Sequence, residues 1–122
     1  MATSVPALHL IQSDDFAGRA RGAGVSLDGS LKMADLAVDL AAYEVTRGDV
    51  LLDLSPRQVE LLALFLAAPR RVWSREELHW ICWGDQQASR RVDVQLCRLR
   101  ARTGVDLFRN VRDRGWALRR SA

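Results

Sequence analysis

The sequence predicts an α+β fold that contains a small antiparallel sheet, three helices and a C-terminal β-hairpin, in that order. Apolar residues alternate with polar ones between residues 31 and 54, which is typical of a sheet with one face in water. Two helix-start signatures, SPRQ and SREE, each precede apolar residues at helical spacing. Two β-prone stretches then flank the turn sequence RDRG. With 122 residues, the chain is long enough for one such domain and too short for two ordinary ones.

The composition is that of a soluble globular protein whose charge is segregated along the chain. Hydrophobic residues make up 48% and charged residues 27%, and no apolar run approaches the roughly 18 residues that cross a membrane. The N-terminal sequence MATSVPALHL lacks the regions of a signal peptide, so we expect a cytoplasmic protein. The net charge is +3, but residues 90–122 carry ten arginines against three aspartates. This basic final third predicts a surface that faces a polyanion, most commonly nucleic acid, with a solvated helix face as the alternative.

Residues 1–30 are rich in small residues and turn formers without sustained periodicity, so we predict a flexible N-terminal tail there. The domain would then span residues 31–122. Its first part alternates in the pattern expected of antiparallel strands, with the sequence RGD as a tight turn. The apolar positions that carry this pattern are Leu36, Val38, Leu40, Tyr43, Val45, Val50 and Leu52.

The first two helices have clear start signals. Ser55 is a good N-cap, Pro56 suits the first helical position, Gln58 completes a capping box, and Pro69 ends the helix. The second helix repeats the signal with Ser74 and Glu77. The residues predicted to be buried are Val59, Leu61, Leu62, Leu64, Phe65 and Leu66 on the first helix and Leu78, Ile81 and Cys82 on the second.

The third helix is predicted over residues 89–103, with Ser89 as N-cap and Gly104 just past its end. Val92, Leu96 and Leu99 share one apolar stripe. A separate outward stripe carries Arg91, Val94, Gln95, Arg98 and Arg102. A face meant only for solvent would more often mix both signs of charge, whereas the single acid of this helix, Asp93, lies off the outward stripe. The pattern therefore favours a helix built to contact a polyanion.

The C-terminal hairpin is predicted over residues 107–119, with arginines at its tip. A basic hairpin directly after a basic helix is the sequence form of a winged helix-turn-helix. The helix of such a fold would enter the major groove of DNA, and the wing would reach an adjacent groove or the phosphates.

The chain from about Leu31 to Arg120 resembles the C-terminal effector domain of OmpR/PhoB-type response regulators. The matching stretches are LDLSPRQVELLALFLAAPRRVWSREEL, CWG, RRVDVQLCRLR and NVRDRGWAL. The resemblance implies an N-terminal four-stranded sheet, three helices and a hairpin wing, and a function in sequence-specific binding of double-stranded DNA. It also implies head-to-tail pairs on direct repeats and a contact with RNA polymerase in activators.

The resemblance assigns the outward residues of the third helix to DNA. Gln95, where many members have histidine, could pair bidentately with adenine, and Arg91 or Arg98 could take guanine. For each of them a phosphate contact is at least as probable as base readout. Val94 could touch a thymine methyl or simply pack. The full set implied for this helix is Arg90, Arg91, Val94, Gln95 and Arg98, with Arg102 added from the outward stripe.

Further contacts are implied outside that helix. Arg112 matches the wing arginine that enters the minor groove, and Trp116 stands at a position that is usually tyrosine. Trp116 could contact the DNA backbone or hold the hairpin on the core. Arg75 and Trp83 match phosphate contacts, with core packing equally probable for Trp83.

Three departures from the family pattern matter. Asp113 stands where the wing usually has glycine and adds a negative charge, for which Arg114 could compensate. The loop GDQQA is shorter than usual, so activation through the polymerase is less secure than DNA binding. The sequence also contains no receiver domain, so we expect either a fragment or a regulator without phosphorylation control.

The sequence supports no other chemistry strongly. Cys82 and Cys97 have no zinc-ligand spacing with the two histidines, and no phosphate loop or activated nucleophile stands out, so we expect no enzyme activity, metal or cofactor. Three alternatives remain open: a winged-helix module that binds another regulator or RNA polymerase, a non-specific nucleic-acid binder, and a thiol sensor that uses the two cysteines. Seventeen arginines against one lysine hint at a GC-rich bacterial genome.

Overall fold

The computed structural model describes residues 15–28, 31–85 and 90–119. After a helix α1 (residues 15–22) come four strands, β1 (Leu31–Met33), β2 (Leu36–Asp39), β3 (Glu44–Arg47) and β4 (Val50–Leu52). They form one antiparallel sheet in chain order, which confirms the predicted sheet. Gly48 has a φ of 59° at the predicted RGD turn, a conformation that favours glycine. Val50 lies beside this turn, opposite Arg47, and is 62% exposed. The alternation in the sequence groups Val50 with the apolar positions of the sheet, but its side chain is not in the core.

Helix α1 differs from the flexible tail predicted for residues 1–30. Its apolar side lies in the common core, and two hydrogen bonds connect the helix and the chain that follows it to the rest of the domain. Arg19 Nε donates to the Ile81 carbonyl oxygen at 2.9 Å, and Arg71 Nη1 donates to the Ala23 carbonyl oxygen at 2.6 Å. The predicted tail is therefore wrong for residues 15–28, because three of them are core residues: Phe16, Ala20 and Val25.

Three further helices follow the sheet: α2 (Pro56–Ala67), α3 (Arg75–Trp83) and α4 (Arg91–Thr103). Both predicted capping boxes are present, because Ser55 pairs reciprocally with Gln58 and Ser74 pairs with Glu77. Helix α2 is the centre of the core and contacts β1, β2, β6, α3 and α4. All the side chains predicted to be buried on the first two helices are buried.

Helix α4 ends as predicted, at Gly104 with a φ of 72°. Its N-cap position is Arg90, which makes no side-chain capping bond. The predicted N-cap, Ser89, lies outside the described residues.

The wing consists of β5 (Phe108–Val111) and β6 (Gly115–Leu118), paired antiparallel around a turn in which Asp113 adopts a φ of 64°. This confirms the predicted hairpin. Asp113 adopts the left-handed conformation at the position where the family usually has glycine. Trp73 and Trp116 exchange two backbone hydrogen bonds of 2.7 and 2.8 Å, which fasten the wing to the segment before α3. No helix in the described residues is long and apolar enough to cross a membrane.

Candidate nucleic-acid interface

Helix α4 has the two faces that its sequence predicts. Val92, Leu96 and Leu99 are buried against the core. The opposite side exposes Arg91 and Arg98, and Val94 between them is 43% exposed. Because the side chains lie one turn apart, they form a single outward surface with two guanidinium groups and one apolar patch.

The wing and the N-terminal ends of α3 and α4 enclose a groove of about 550 Å³. Its walls also carry Glu76 and Asp113, so the groove is mixed in sign but has more cations than anions. The arginines that line it are Arg75, Arg90, Arg112 and Arg114. In the described part of the chain, the guanidinium groups of Arg90, Arg112 and Arg114 form no hydrogen bond or ion pair, so their donors remain available to a ligand.

Asp93 joins three elements at the edge of this groove. Its Oδ1 accepts from Arg75 Nε at 2.8 Å and from Trp116 Nε1 at 3.0 Å. The carboxylate thus connects α4 to the start of α3 and to the wing. Its hydrogen bond and charge raise the pKa of the Arg75 guanidinium, which stays protonated.

The two hydrogen bonds to Asp93, which we call the Asp93 clamp, involve two of the residues predicted to contact DNA, Trp116 and Arg75. The indole N–H of Trp116 is committed to the protein, which matches the predicted role of holding the hairpin in place. Arg75 is exposed, and within the described residues its two terminal nitrogens form no hydrogen bond. Asp93 therefore orients Arg75 while its remaining donors face outward.

Trp83 lies half-buried at the end of α3. Its ring stacks on His79 with the centroids 5.0 Å apart. The guanidinium carbons of Arg57 and Arg91 lie 5.9 and 6.0 Å from its centroid, within cation–π range. Trp83 therefore both packs on the protein and connects the outward face of α4 to the start of α2.

Arg102 is set apart from the other predicted site residues. Its Nη1 donates to the Asp53 carbonyl oxygen at 2.8 Å and lies 3.7 Å from the Asp53 carboxylate. It therefore ties the end of α4 to the connection between β4 and α2 instead of extending the groove.

Gln95 contacts the protein as well as facing outward. Its Oε1 accepts from the Nε2 of buried Gln58 at 3.0 Å. The sequence identified Gln58 only as a capping residue and Asp93 only as an acid off the outward stripe. Their roles depend on contacts between helices, and nothing in the sequence pattern of either residue signals them.

The described residues contain no group of three or more side chains that could hold a metal ion. Buried His79 pairs through Nδ1 with the Asp85 carboxylate at 2.8 Å. Burial raises the pKa of the Cys82 thiol well above its usual value, which disfavours the reactive thiolate.

Comparison with known proteins identifies the family. A model of the family described as "Transcriptional regulatory protein, C terminal" matches residues 48–118. The transcriptional regulatory protein CseB of Streptomyces coelicolor is 38% identical over 104 residues, which cover 83% of this chain and 44% of CseB. The phosphate regulon regulator PhoB of Klebsiella pneumoniae is 39% identical over 72 residues, covering 57% of this chain and 31% of PhoB. The chain spans less than half the length of these curated relatives.

Solved structures share the fold. The DNA-binding domain of CpxR from E. coli superposes with a TM-score of 0.71 at 22% identity, covering 78% of this chain and all of that domain. The RstA DNA-binding domain of Klebsiella pneumoniae, solved in complex with the RstA box, gives a TM-score of 0.68 at 20% identity, with coverages of 75% and 97%. The predicted resemblance is confirmed: the chain belongs to the family of C-terminal domains of transcriptional regulatory proteins, the OmpR/PhoB-type winged-helix effector domains.

Proposed function

We propose that this protein binds double-stranded DNA sequence-specifically and regulates transcription. The observation that carries the proposal is the outward face of α4, where Arg91, Val94 and Arg98 are exposed while the opposite face is buried in the core. An exposed helix with this distribution of charge suits the major groove, because its outward side chains can reach the base edges while its inward side chains anchor the helix in the core.

The wing provides the second contact. Arg112 and Arg114 lie at its tip beside Asp113, and with Arg75 and Arg90 they line the groove next to α4. We assign these four arginines to phosphates and, for Arg112, to the adjacent minor groove. Trp83 completes the contact surface beside Arg91, whereas Arg102 is engaged with Asp53 and contributes least.

The known proteins support this proposal. The relatives are named as transcriptional regulators, and the RstA DNA-binding domain was solved in complex with the RstA box. The family is one of regulators and not of enzymes. Cytoplasmic location, head-to-tail pairing on direct repeats and contact with RNA polymerase are parts of the same proposal.

The test is a selection from a random duplex library, followed by a salt titration on the sequence that it enriches. If about six phosphates are neutralised, the logarithm of the binding constant should fall against the logarithm of salt with a slope near −5. Arg98→Ala should weaken binding by roughly tenfold, as loss of one good base or phosphate contact does.

Arg100→Ala is the matched control for this test. It removes the same charge from the same helix, but Arg100 is directed at Asp106, 3.7 Å away, and not at the outward face. It should change affinity much less than Arg98→Ala. A flat salt response, or equal losses in both variants, would contradict the proposal.

The second candidate is a protein-interaction module. One observation favours it: Val50 and Leu51 on the edge strand β4 are 62% and 59% exposed. In that case, the partner would still bind after Arg98→Ala and Arg112→Ala, and library selection would enrich no sequence.

A further inference from the structure

The amide of Gln95 is oriented by a chain of hydrogen bonds that begins at the start of α2. The Ser55 backbone N–H donates to Gln58 Oε1 at 2.9 Å, and Gln58 Nε2 donates to Gln95 Oε1 at 3.0 Å. A backbone N–H can only donate, so the Gln58 atom that faces Ser55 must be the oxygen. The Gln58 group that faces Gln95 is then the NH₂, so the Gln95 atom that accepts from it must be the oxygen.

This order of donors and acceptors is held firmly. Gln58 is 6% exposed, and its own backbone N–H bonds to Ser55 Oγ at 3.3 Å in the same capping box. Reversing its amide would place an NH₂ group against the Ser55 N–H and leave two buried donors facing each other, which costs about as much as losing both bonds. The oxygen of Gln95 is therefore kept on the α2 side.

The Nε2 group is the end of Gln95 that remains for a ligand. The side chain is partly exposed, and within the described residues no protein acceptor takes its NH₂ hydrogens. Arg91 lies one turn before it and Arg98 one turn after it, both exposed. Among the described neighbours of Gln95 on the outward face of α4, the charged side chains are therefore hydrogen-bond donors.

We propose that Gln95 acts as a hydrogen-bond donor and recognises an acceptor on DNA, with Gln58 as the residue that sets this polarity. The inference rests on the proposed function and deepens it. The acceptors it suits best are guanine N7 and O6, which lie side by side, thymine O4 and a phosphate oxygen. Adenine offers only N7, next to an amino group that itself donates, so it suits a donor less well than guanine. The bidentate pair with adenine expected from the sequence needs both the oxygen and the NH₂ of Gln95 at the base edge, and the bond from Gln58 keeps that oxygen turned toward α2.

Gln58→Glu tests the polarity directly. A glutamate at this position can still accept from the Ser55 N–H, since glutamate is a standard capping-box residue. Its second oxygen can only accept, so Gln95 must turn its NH₂ inward and present its oxygen to DNA. Two further variants complete the set: Gln58→Met frees the Gln95 amide, and Gln95→Met removes it. Urea denaturation of each variant confirms that it is folded.

Each variant is put through the random duplex selection and affinity measurement. If Gln95 reads a base, wild type should enrich guanine or thymine at one position of the contacted strand, and Gln95→Met should relax that position. Gln58→Glu should shift the preference toward adenine or cytosine, whose amino groups donate, by roughly five- to tenfold. Gln58→Met should leave the position without a marked preference.

If Gln95 donates to a phosphate, Gln95→Met and Gln58→Glu should each lower affinity for all sequences by a similar factor without changing the motif. Both patterns support the assignment of Gln95 as a donor, and they distinguish a base acceptor from a phosphate acceptor. Adenine preferred over guanine at the position that Gln95→Met relaxes would overturn it, as would Gln58→Glu with the motif and affinity of wild type. A wild type that enriches no sequence and shows no salt dependence would instead refute the proposed function, and the inference with it.

Discussion

Replacing Gly115 with alanine should detach the wing from the core. Gly115 begins β6 with a φ of 136°, and a Cβ built there would lie 1.9 Å from the Trp73 carbonyl oxygen and 2.9 Å from Ser74 Cα. Real Cβ contacts are essentially never shorter than 3.0 Å, and the atoms in the way are backbone, so the strand itself must move by about 1 Å.

The cost follows from what that movement breaks. Trp73 and Trp116 exchange two backbone hydrogen bonds beside Gly115, and each is worth about 1 kcal/mol net. An alanine at this φ adds strain of about 1–2 kcal/mol. The free energy of unfolding should therefore fall by about 3–4 kcal/mol, a large part of the roughly 5–15 kcal/mol that holds a typical domain.

Urea denaturation measures this change, with the slope of free energy against urea checked for constancy. Gly18→Ala is the matched control, because a Cβ at Gly18 in α1 meets nothing within 4 Å. That variant should be as stable as wild type or more stable by up to about 1 kcal/mol. A Gly115→Ala protein within about 0.5 kcal/mol of wild type would refute the reasoning.

Four further predictions concern other parts of the molecule. Asp93→Ala should lower the free energy of unfolding by about 2 kcal/mol in urea denaturation, because it leaves the Trp116 N–H without its acceptor; a change below about 0.5 kcal/mol would show that the clamp contributes little. Phe16→Ala should cost about 3 kcal/mol in the same assay, since Phe16 is 3% exposed, whereas a tail residue would cost nothing. Burial raises the pKa of Glu60, outweighing the lowering effect of the bonds from Tyr43 and Arg57. The folded state therefore binds the Glu60 proton more tightly than the unfolded state, and the protein loses stability as pH rises above the ordinary pKa of a glutamate. The free energy of unfolding of wild type relative to Glu60→Gln should fall with rising pH in a pH series. A rise would contradict this sign. Finally, a thiol reagent should label exposed Cys97 in the native protein and reach buried Cys82 only on unfolding; rapid native labelling of both would revive the thiol-sensor alternative.

Much of the fold can be predicted from local signals. The capping boxes at Ser55 and Ser74 fix where α2 and α3 begin, because each depends on residues three positions apart. The two faces of α4 follow from helical spacing alone, and the wing follows from a turn sequence between two β-prone stretches. Each of these signals lies within one short continuous stretch of chain.

What the sequence does not reveal depends on distant contacts. Helix α1 is rich in glycine and alanine, so its local pattern indicates a tail, yet Phe16 and Ala20 are buried by elements that follow much later in the chain. The outward stripe of α4 is likewise predicted from residue type and spacing, and the candidate residues on α3 and the wing from the family resemblance, but the partners of these side chains within the protein are not predicted. Asp93 clamps Arg75 and Trp116, and Gln58 turns the Gln95 amide, because the packing of helices and wing brings these side chains together.

The most direct test of the central claim is NMR chemical-shift mapping of the backbone amides during titration with the selected duplex. We expect the largest changes in residues 90–98, at the start and on the outward face of α4, and in residues 111–115 of the wing, with small changes across β1 to β4. Changes concentrated in the sheet, with α4 and the wing unaffected, would contradict the claim that the arginine face of α4 and the wing bind DNA.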